Sequence, residues 1–352
     1  MLLLAAPASL KGVLSAGAAA AALAAGARGA GVAVEADECP VADGGEGTAD
    51  ALYGALGGEW RAARVADPLG RPVEARWLAL PDGTAVIESA AAIGLPLLTV
   101  AERDPLRASS RGLGELMLAA LAEGPARLLV CLGGSATVDG GAGLREALAT
   151  GGDGGGAPRR GGNGGGALGR GGALGAGALA GVRLDVACDV RNPLLGERGA
   201  ARVFGPQKGA TPAAVEELER RLAALAELAP YAELPGAGAA GGLGAALAAL
   251  GGRLVPGAGL VLEAVRFQER AARADLVVTG EGTVDRTTAE GKAPGAVLAA
   301  CAELGRRCVL FGGRVVEAPA GAAVRSLSGD PARAVADLHA LGARLARELA
   351  GA

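Results

Sequence analysis

The sequence predicts an α/β fold, and three observations carry that prediction. Short apolar runs ending in Gly, Asp or Ser alternate with Ala/Leu/Arg/Glu stretches of helical period, which is the pattern of βα units. Between Trp60 and Ile93 the texture changes to closely spaced alternating runs, so the middle of the chain reads as its own unit. A length of 352 residues is enough for two domains with separate cores.

The expected strands are Leu2 to Ala6, Gly31 to Glu35, Leu128 to Leu132, Leu184 to Ala187, Leu276 to Thr279 and Cys308 to Phe311. In the middle region, Val65 to Leu69, Val73 to Leu80 and Thr84 to Glu88 read as paired strands, and Pro81-Asp82-Gly83 supplies hairpin-turn chemistry. Helical period marks Ser15 to Ala25, Gly47 to Leu56, Gly114 to Ala122, Pro212 to Ala229, Leu243 to Leu250, Ala293 to Leu304 and Pro331 to Leu349. The stretch 151–177 is glycine-dominated with few apolar anchors and is expected to be a flexible surface loop.

Composition excludes several classes of function. Hydrophobic content is 51%, but alanine and leucine supply most of it, aromatics are 2%, and no run approaches the about 20 strongly apolar residues of a membrane span. In Met1 to Gly31 no cation precedes the apolar run and Lys11 interrupts it, so strand, loop and helix is expected there, not a cleaved leader. Five cysteines without a CxxC pair, beside one histidine, argue against disulfides and zinc and suggest a reducing cytoplasm. A net charge of −3 gives no footprint for nucleic acid.

Only three lysines, Lys11, Lys208 and Lys292, occur among the 34 lysines and arginines, and each adjoins a glycine. An ammonium is a compact charge that fits a tight phosphate or carboxylate site, so retention at these positions marks them as candidates. Gly-rich turns after expected strand ends carry the other candidates. Asp43-Gly44-Gly45-Glu46-Gly47-Thr48 runs into a helix and suits a metal-phosphate site. Gly133 to Gly141, containing Ser135, Thr137 and Asp139, offers successive amides to a phosphate. Asp189 with Asn192, and Thr279-Gly280-Glu281-Gly282 with Asp285, complete the set. Any one such loop is also an ordinary turn, but ligands in open α/β sheets bind at the strand carboxyl ends where these loops cluster. Gly236 to Gly241 matches GxGxxG without a leading strand, and Gly291-Lys292 lacks the rest of a Walker loop, so neither fingerprint is supported.

Read as a series, these segments resemble the bacterial glycerate kinase type 1 family. The matching stretches include Ala6 to Gly12, Pro40 to Thr48, Asp67 to Pro72, Gly133 to Gly143, Ala187 to Leu194, Phe204 to Ala210, Pro235 to Gly244, Thr279 to Gly282 and Gly291 to Pro294, in order along nearly the whole chain. The resemblance implies transfer of phosphate from ATP, with Mg²⁺, to a hydroxyl of D-glycerate. It implies a flavodoxin-like three-layer parallel-sheet domain (1–64 plus 262–352) interrupted by an inserted α/β domain (65–261), with the substrate cleft between them. Catalytic roles would fall to Asp189, Lys11 and Lys208, and metal binding to Asp43 and Glu281. Ser9, Gly44, Gly45, Gly133, Gly134, Ser135, Thr137, Asp139, Asn192, Gly280, Asp285 and Lys292 would bind substrate or ATP. A homodimer is an open option, and neither nucleic acid nor membrane is an expected partner.

The chain departs from the family pattern at several positions. The family usually has aspartate where this chain has Ala8, phenylalanine at Leu10 and asparagine at Val138. Thr283 to Thr287, Gly312 and Arg314 also differ from it. These departures keep a second reading open, a weakened or non-catalytic homologue that binds a sugar acid or nucleotide.

Overall fold

A computed structural model describes residues 1–151, 176–289 and 292–351. In chain order its strands are β1 (Leu2–Ala5), β2 (Glu35–Glu38), β3 (Glu59–Ala66), β4 (Pro72–Ala79), β5 (Thr84–Glu88), β6 (Arg127–Cys131), β7 (Arg183–Ala187), β8 (Arg253–Val255), β9 (Leu276–Val284), β10 (Cys308–Val315) and β11 (Ala323–Ser326). They form two sheets, ordered β11-β10-β9-β1-β2 and β3-β4-β5-β6-β7-β8. Contacts divide the chain into two compact units: Met1–Gly58, Ala187–Asp189 and Val255–Ala352 in the first, Glu59–Val186 and Val190–Leu254 in the second.

The first unit is doubly wound. Its five strands pair in parallel throughout, and counted within the unit their order is 2-1-3-4-5, the flavodoxin-like order. Side-chain alternation along the strands serves both faces. Leu3, Ala5, Val278 and Phe311 join one apolar cluster with the helices Ala16–Arg28 and Ala334–Ala350. Leu4, Ala6 and Val277 join a second, with Phe267 and with Val297 of the helix Ala293–Glu303. Three layers result, as expected for this domain.

The two helices on the first face meet through glycines. A Cβ built on Gly26 would lie 1.9 Å from the His339 carbonyl oxygen, and one on Gly342 would lie 2.1 Å from that of Leu23. The lone histidine contributes backbone to this contact while its side chain is exposed on the helix.

The second unit carries a mixed sheet. β3 and β4 are antiparallel, as are β4 and β5, whereas β5 and β6 are parallel. The Pro81-Asp82-Gly83 turn forms as its residues predict: the Asp82 carboxylate accepts the Thr84 amide at 2.9 Å and Gly83 has φ +81°. A third apolar cluster, of Val138, Leu194, Leu218, Leu222, Leu228 and neighbouring alanines, holds its helices.

Some elements differ from expectation. The strand expected at Gly31 to Glu35 lies at Glu35–Glu38, because Leu2 pairs with Glu35 and this edge strand needs only partial burial, so polar residues fill it. The helix expected over Pro212 to Ala229 stops at Ala223 and continues as a 3₁₀ segment, Ala226–Tyr231. There Leu222, Leu225 and Leu228 reach the core at a spacing of three, and Pro230 cannot continue an α-helix. β9 and β10 run past their expected ends at Thr279 and Phe311 because they pair through Arg314↔Thr283 and Val315↔Val284. Most of the glycine-dominated stretch 151–177 lies outside the described residues, as does Gly291.

Candidate functional site

In the first unit the strand order reverses beside β1, so β1 and β9 flank the switch point where doubly wound sheets open a crevice at their carboxyl edge. The loop after β1 crosses there. The Ala8 amide donates to the Gly280 carbonyl at 2.9 Å, and the backbone of Leu10 and Lys11 lies against Gly282. Lys11 is exposed, Ser9 half-buried and Gly280 buried. No side chain fits at Gly280, where a Cβ would lie 2.3 Å from the Phe311 carbonyl oxygen.

Glu281 on β9 is tightly held. One carboxylate oxygen accepts the Thr288 hydroxyl at 2.8 Å, and the other lies 3.6 Å from the Lys292 ammonium, which is also 3.6 Å from Asp285. Thr288 is fully buried and also accepts the Asp285 amide at 3.0 Å. Burial raises the Glu281 carboxyl above its ordinary range against the pull of the Thr288 hydrogen bond and Lys292.

Asp189 follows β7, and Ala187–Asp189 return to the first unit for three residues. Its carboxylate accepts the Gly257 amide at 2.8 Å and the Ala258 amide at 3.0 Å, both from the N-terminus of the helix Gly257–Ala264. The Asp43 loop comes to the same place, because Gly44 (φ +82°) abuts Gly257 so closely that a Cβ on Gly44 would lie 2.6 Å from the Gly257 Cα. Asp43 itself accepts the Gly45 amide at 3.2 Å. Burial, then the charge of Asp43, push the Asp189 carboxyl up to about 7, and the two helix amides only partly offset this.

The second unit holds a separate polar group. The loop after β6 runs through Gly133, Gly134 (φ +63°), Ser135, Thr137 and Asp139. Lys208, 3% exposed, donates to the Ser135 hydroxyl oxygen at 3.0 Å and the Thr137 carbonyl at 2.8 Å. Asp139 is committed to the loop itself: it accepts the amide and hydroxyl of Ser110, each at 2.8 Å, and the amides of Gly141 and Gly143. Asn192 donates to the Arg198 carbonyl at 2.8 Å.

The model of the glycerate kinase family matches residues 3–330. The chain belongs to that family. It is 45% identical over 311 residues to the glycerate 2-kinase of Escherichia coli K12, covering 84% of this chain and 80% of that one. It is 42% identical over 291 residues to a glycerate kinase of Halalkalibacterium halodurans, covering 78% and 75%. A crystal structure from Salmonella typhimurium LT2, described as a glycerate kinase 2, superposes with TM-score 0.77 at 35% identity over 99% of this chain and 98% of that one.

For this member of the glycerate kinase family, the structure gathers Gly280 and Glu281 of β9 with Lys11, Asp285 and Lys292 of the loops after β1 and β9, and Asp43, Gly44, Gly45 and Asp189 around the helix start at Gly257. Gly133, Gly134, Ser135, Thr137, Asp139 and Lys208 gather in the second unit. Sequence reading did not single out Thr288, Ser110, or the amides of Gly257 and Ala258. A hydroxyl or amide that orients a carboxylate has no motif of its own. Among the described residues no helix is long and apolar enough to cross a membrane.

Proposed function

We propose that the chain transfers the γ-phosphoryl group of ATP to a hydroxyl of D-glycerate, giving phosphoglycerate and ADP. Family membership across residues 3–330 and relatives named glycerate kinases support the reaction class. The observation that carries the mechanism is Asp189, a carboxylate fixed by two helix-terminal amides whose proton affinity lies near neutrality. A base with its pKa close to the working pH is ionised often enough to accept a hydroxyl proton and basic enough to hold it. In this reading the two compact units are the flavodoxin-like and inserted domains that the resemblance implies.

Phosphoryl transfer asks the protein chiefly for alignment and charge neutralisation. Lys11, exposed beside Gly282, is placed to meet phosphate or the substrate carboxylate. Gly44 lets the Asp43 loop close on Gly257, and the Gly45 amide orients the Asp43 carboxylate. Lys292 holds Glu281 and Asp285 together. Among the described residues no three His, Cys, Asp or Glu side chains form a metal cage of their own. That suits Mg²⁺ brought with the nucleotide, which takes one or two carboxylates and completes its shell with phosphate and water. Asp43 and Glu281 would hold it, and Asp43 is near enough that its charge acts on Glu281. When bound, the ion would supply charge neutralisation for the phosphate oxygens. The reading keeps the reducing cytoplasm that five cysteines without a CxxC pair suggest.

The test is coupled detection of ADP with D-glycerate as acceptor. ADP should appear at saturating ATP and Mg²⁺, and Asp189→Asn should lower kcat by about 10²-fold or more. Activity within about threefold of the parent would remove Asp189 from the role of base. Ala8, beside Gly280 where the family usually has aspartate, favours the second reading of a binder without turnover. That protein would bind ligand and release no ADP.

A further inference from the structure

Lys208 is a buried ammonium with neutral partners. It is 3% exposed and donates to one hydroxyl and one carbonyl. Of the ionisable groups around it, Asp139 is the one whose charge favours the ammonium, and that carboxylate is already shared among Ser110, Gly141 and Gly143. Arg103 packs on the same segment through its backbone, at Gly209. Beside the ammonium, the Thr137 hydroxyl is fully buried and lacks a hydrogen-bond partner. Burying an ammonium without an anion is costly, and here burial pushes Lys208 down to about 7.

The Ser135 hydroxyl is the way out of this buried cluster. Its oxygen accepts from Lys208, so its own proton is left to donate elsewhere. Ser135 is itself 3% exposed, but Gly134 next to it is exposed and Gly133 half-buried, so the loop reaches solvent at that point. A hydroxyl that accepts from an ammonium is polarised and becomes a stronger donor.

We propose that Lys208 is a positioning residue that works through Ser135: the ammonium holds the hydroxyl so that it donates to an oxyanion of substrate or nucleotide at the Gly133-Gly134 rim, and binding of that oxyanion draws a proton from solvent onto Lys208. This rests on the kinase reading and deepens it, by assigning the second unit's loop to an oxyanion, either a carboxylate or a phosphate. The oxyanion supplies the charge that stabilises the ammonium, so the amine binds its proton more tightly in the complex than in the free chain. Proton uptake is therefore largest just above the free chain's value for Lys208 and vanishes well below it, where the amine is already charged.

The experiment is calorimetric titration of the full chain with D-glycerate, and separately with magnesium-free ADP, in two buffers of different ionisation enthalpy. One of the two ligands should bind with uptake approaching about one proton at pH 8 and close to none at pH 6. The arm that shows it identifies the carboxylate or the phosphate as the oxyanion. Lys208→Met should abolish the uptake. Should that variant not fold, Ser135→Ala decides: it retains the lysine, and it should lose more than about half of the uptake and bind about tenfold more weakly, as expected for one lost charge-assisted contact. Uptake persisting in Lys208→Met, or undiminished in Ser135→Ala, overturns the proposal. Normal ADP formation from D-glycerate with no proton uptake by the parent overturns this inference alone, whereas failure of both ligands to bind overturns it together with the kinase reading.

Discussion

The departures from the family pattern separate once each is placed. Val138 is 1% exposed within the apolar cluster of the second unit, and Leu10 is 4% exposed within the first unit's core, so both change packing. Ala8 lies on the loop that touches Gly280, next to Glu281. Val138→Asn should bury an unpaired amide and cost about 1–3 kcal/mol, read as a lowered denaturation midpoint. Ala8→Asp should leave that midpoint nearly unchanged and raise kcat/KM for D-glycerate by about threefold or more, since a carboxylate would return beside the proposed metal position. The proposed base makes a further prediction. A carboxyl raised to about 7 must lose its proton to act, so kcat/KM should climb about tenfold per pH unit below that value and level off above it. Asp43→Asn removes the negative charge that helps raise Asp189, so the bend should move to lower pH, which a pH profile of the variant would show. Asp43 and Glu281 were legible in the sequence because glycines follow or flank them, and Asp189 because it follows an expected strand end with Asn192 close behind. Thr288 and the Gly257 amide were not, because their contribution is a direction in space.

At the scale of elements, the contact between the helices Ala16–Arg28 and Ala334–Ala350 depends on having no side chain at Gly26. Gly26→Ala drives a methyl into the His339 carbonyl and should cost at least the about 1–3 kcal/mol typical of overpacking, seen as a fall in Tm. Gly17 in the first of these helices has open space around its Cβ position, so Gly17→Ala should stabilise by about 0.5–1 kcal/mol through helix propensity alone. The opposite signs distinguish close approach from propensity. Elements with a strong period or a turn signal, such as the 81–83 hairpin turn and the C-terminal amphipathic helix, could be read directly. Edge strand β2 could not, because its residues Glu35 to Glu38 carry no apolar run and are strand only through pairing with β1.

At the scale of the whole chain, the two units differ in how their segments are ordered. The second unit is nearly continuous in sequence and owns the whole of one apolar cluster, whereas the first needs strands from both ends of the chain to complete its sheet. A fragment of residues 59–254 should therefore melt cooperatively on its own, while residues 1–254 should leave the first unit unfolded, lacking β9, β10 and β11. Differential scanning calorimetry of the two fragments would check this. The sequence by itself determined the α/β class, the family, and the loops that carry the charged residues, because each of these is written in local periodicity and in short ordered motifs. Tertiary structure alone decided that Asp189 rejoins the first unit beside Asp43, that Lys208 is buried against Ser135, and that Asp139 is absorbed by its own loop. Burial, hydrogen-bond partners and shifted proton affinity depend on which distant segments meet, and residue spacing along the chain does not encode that.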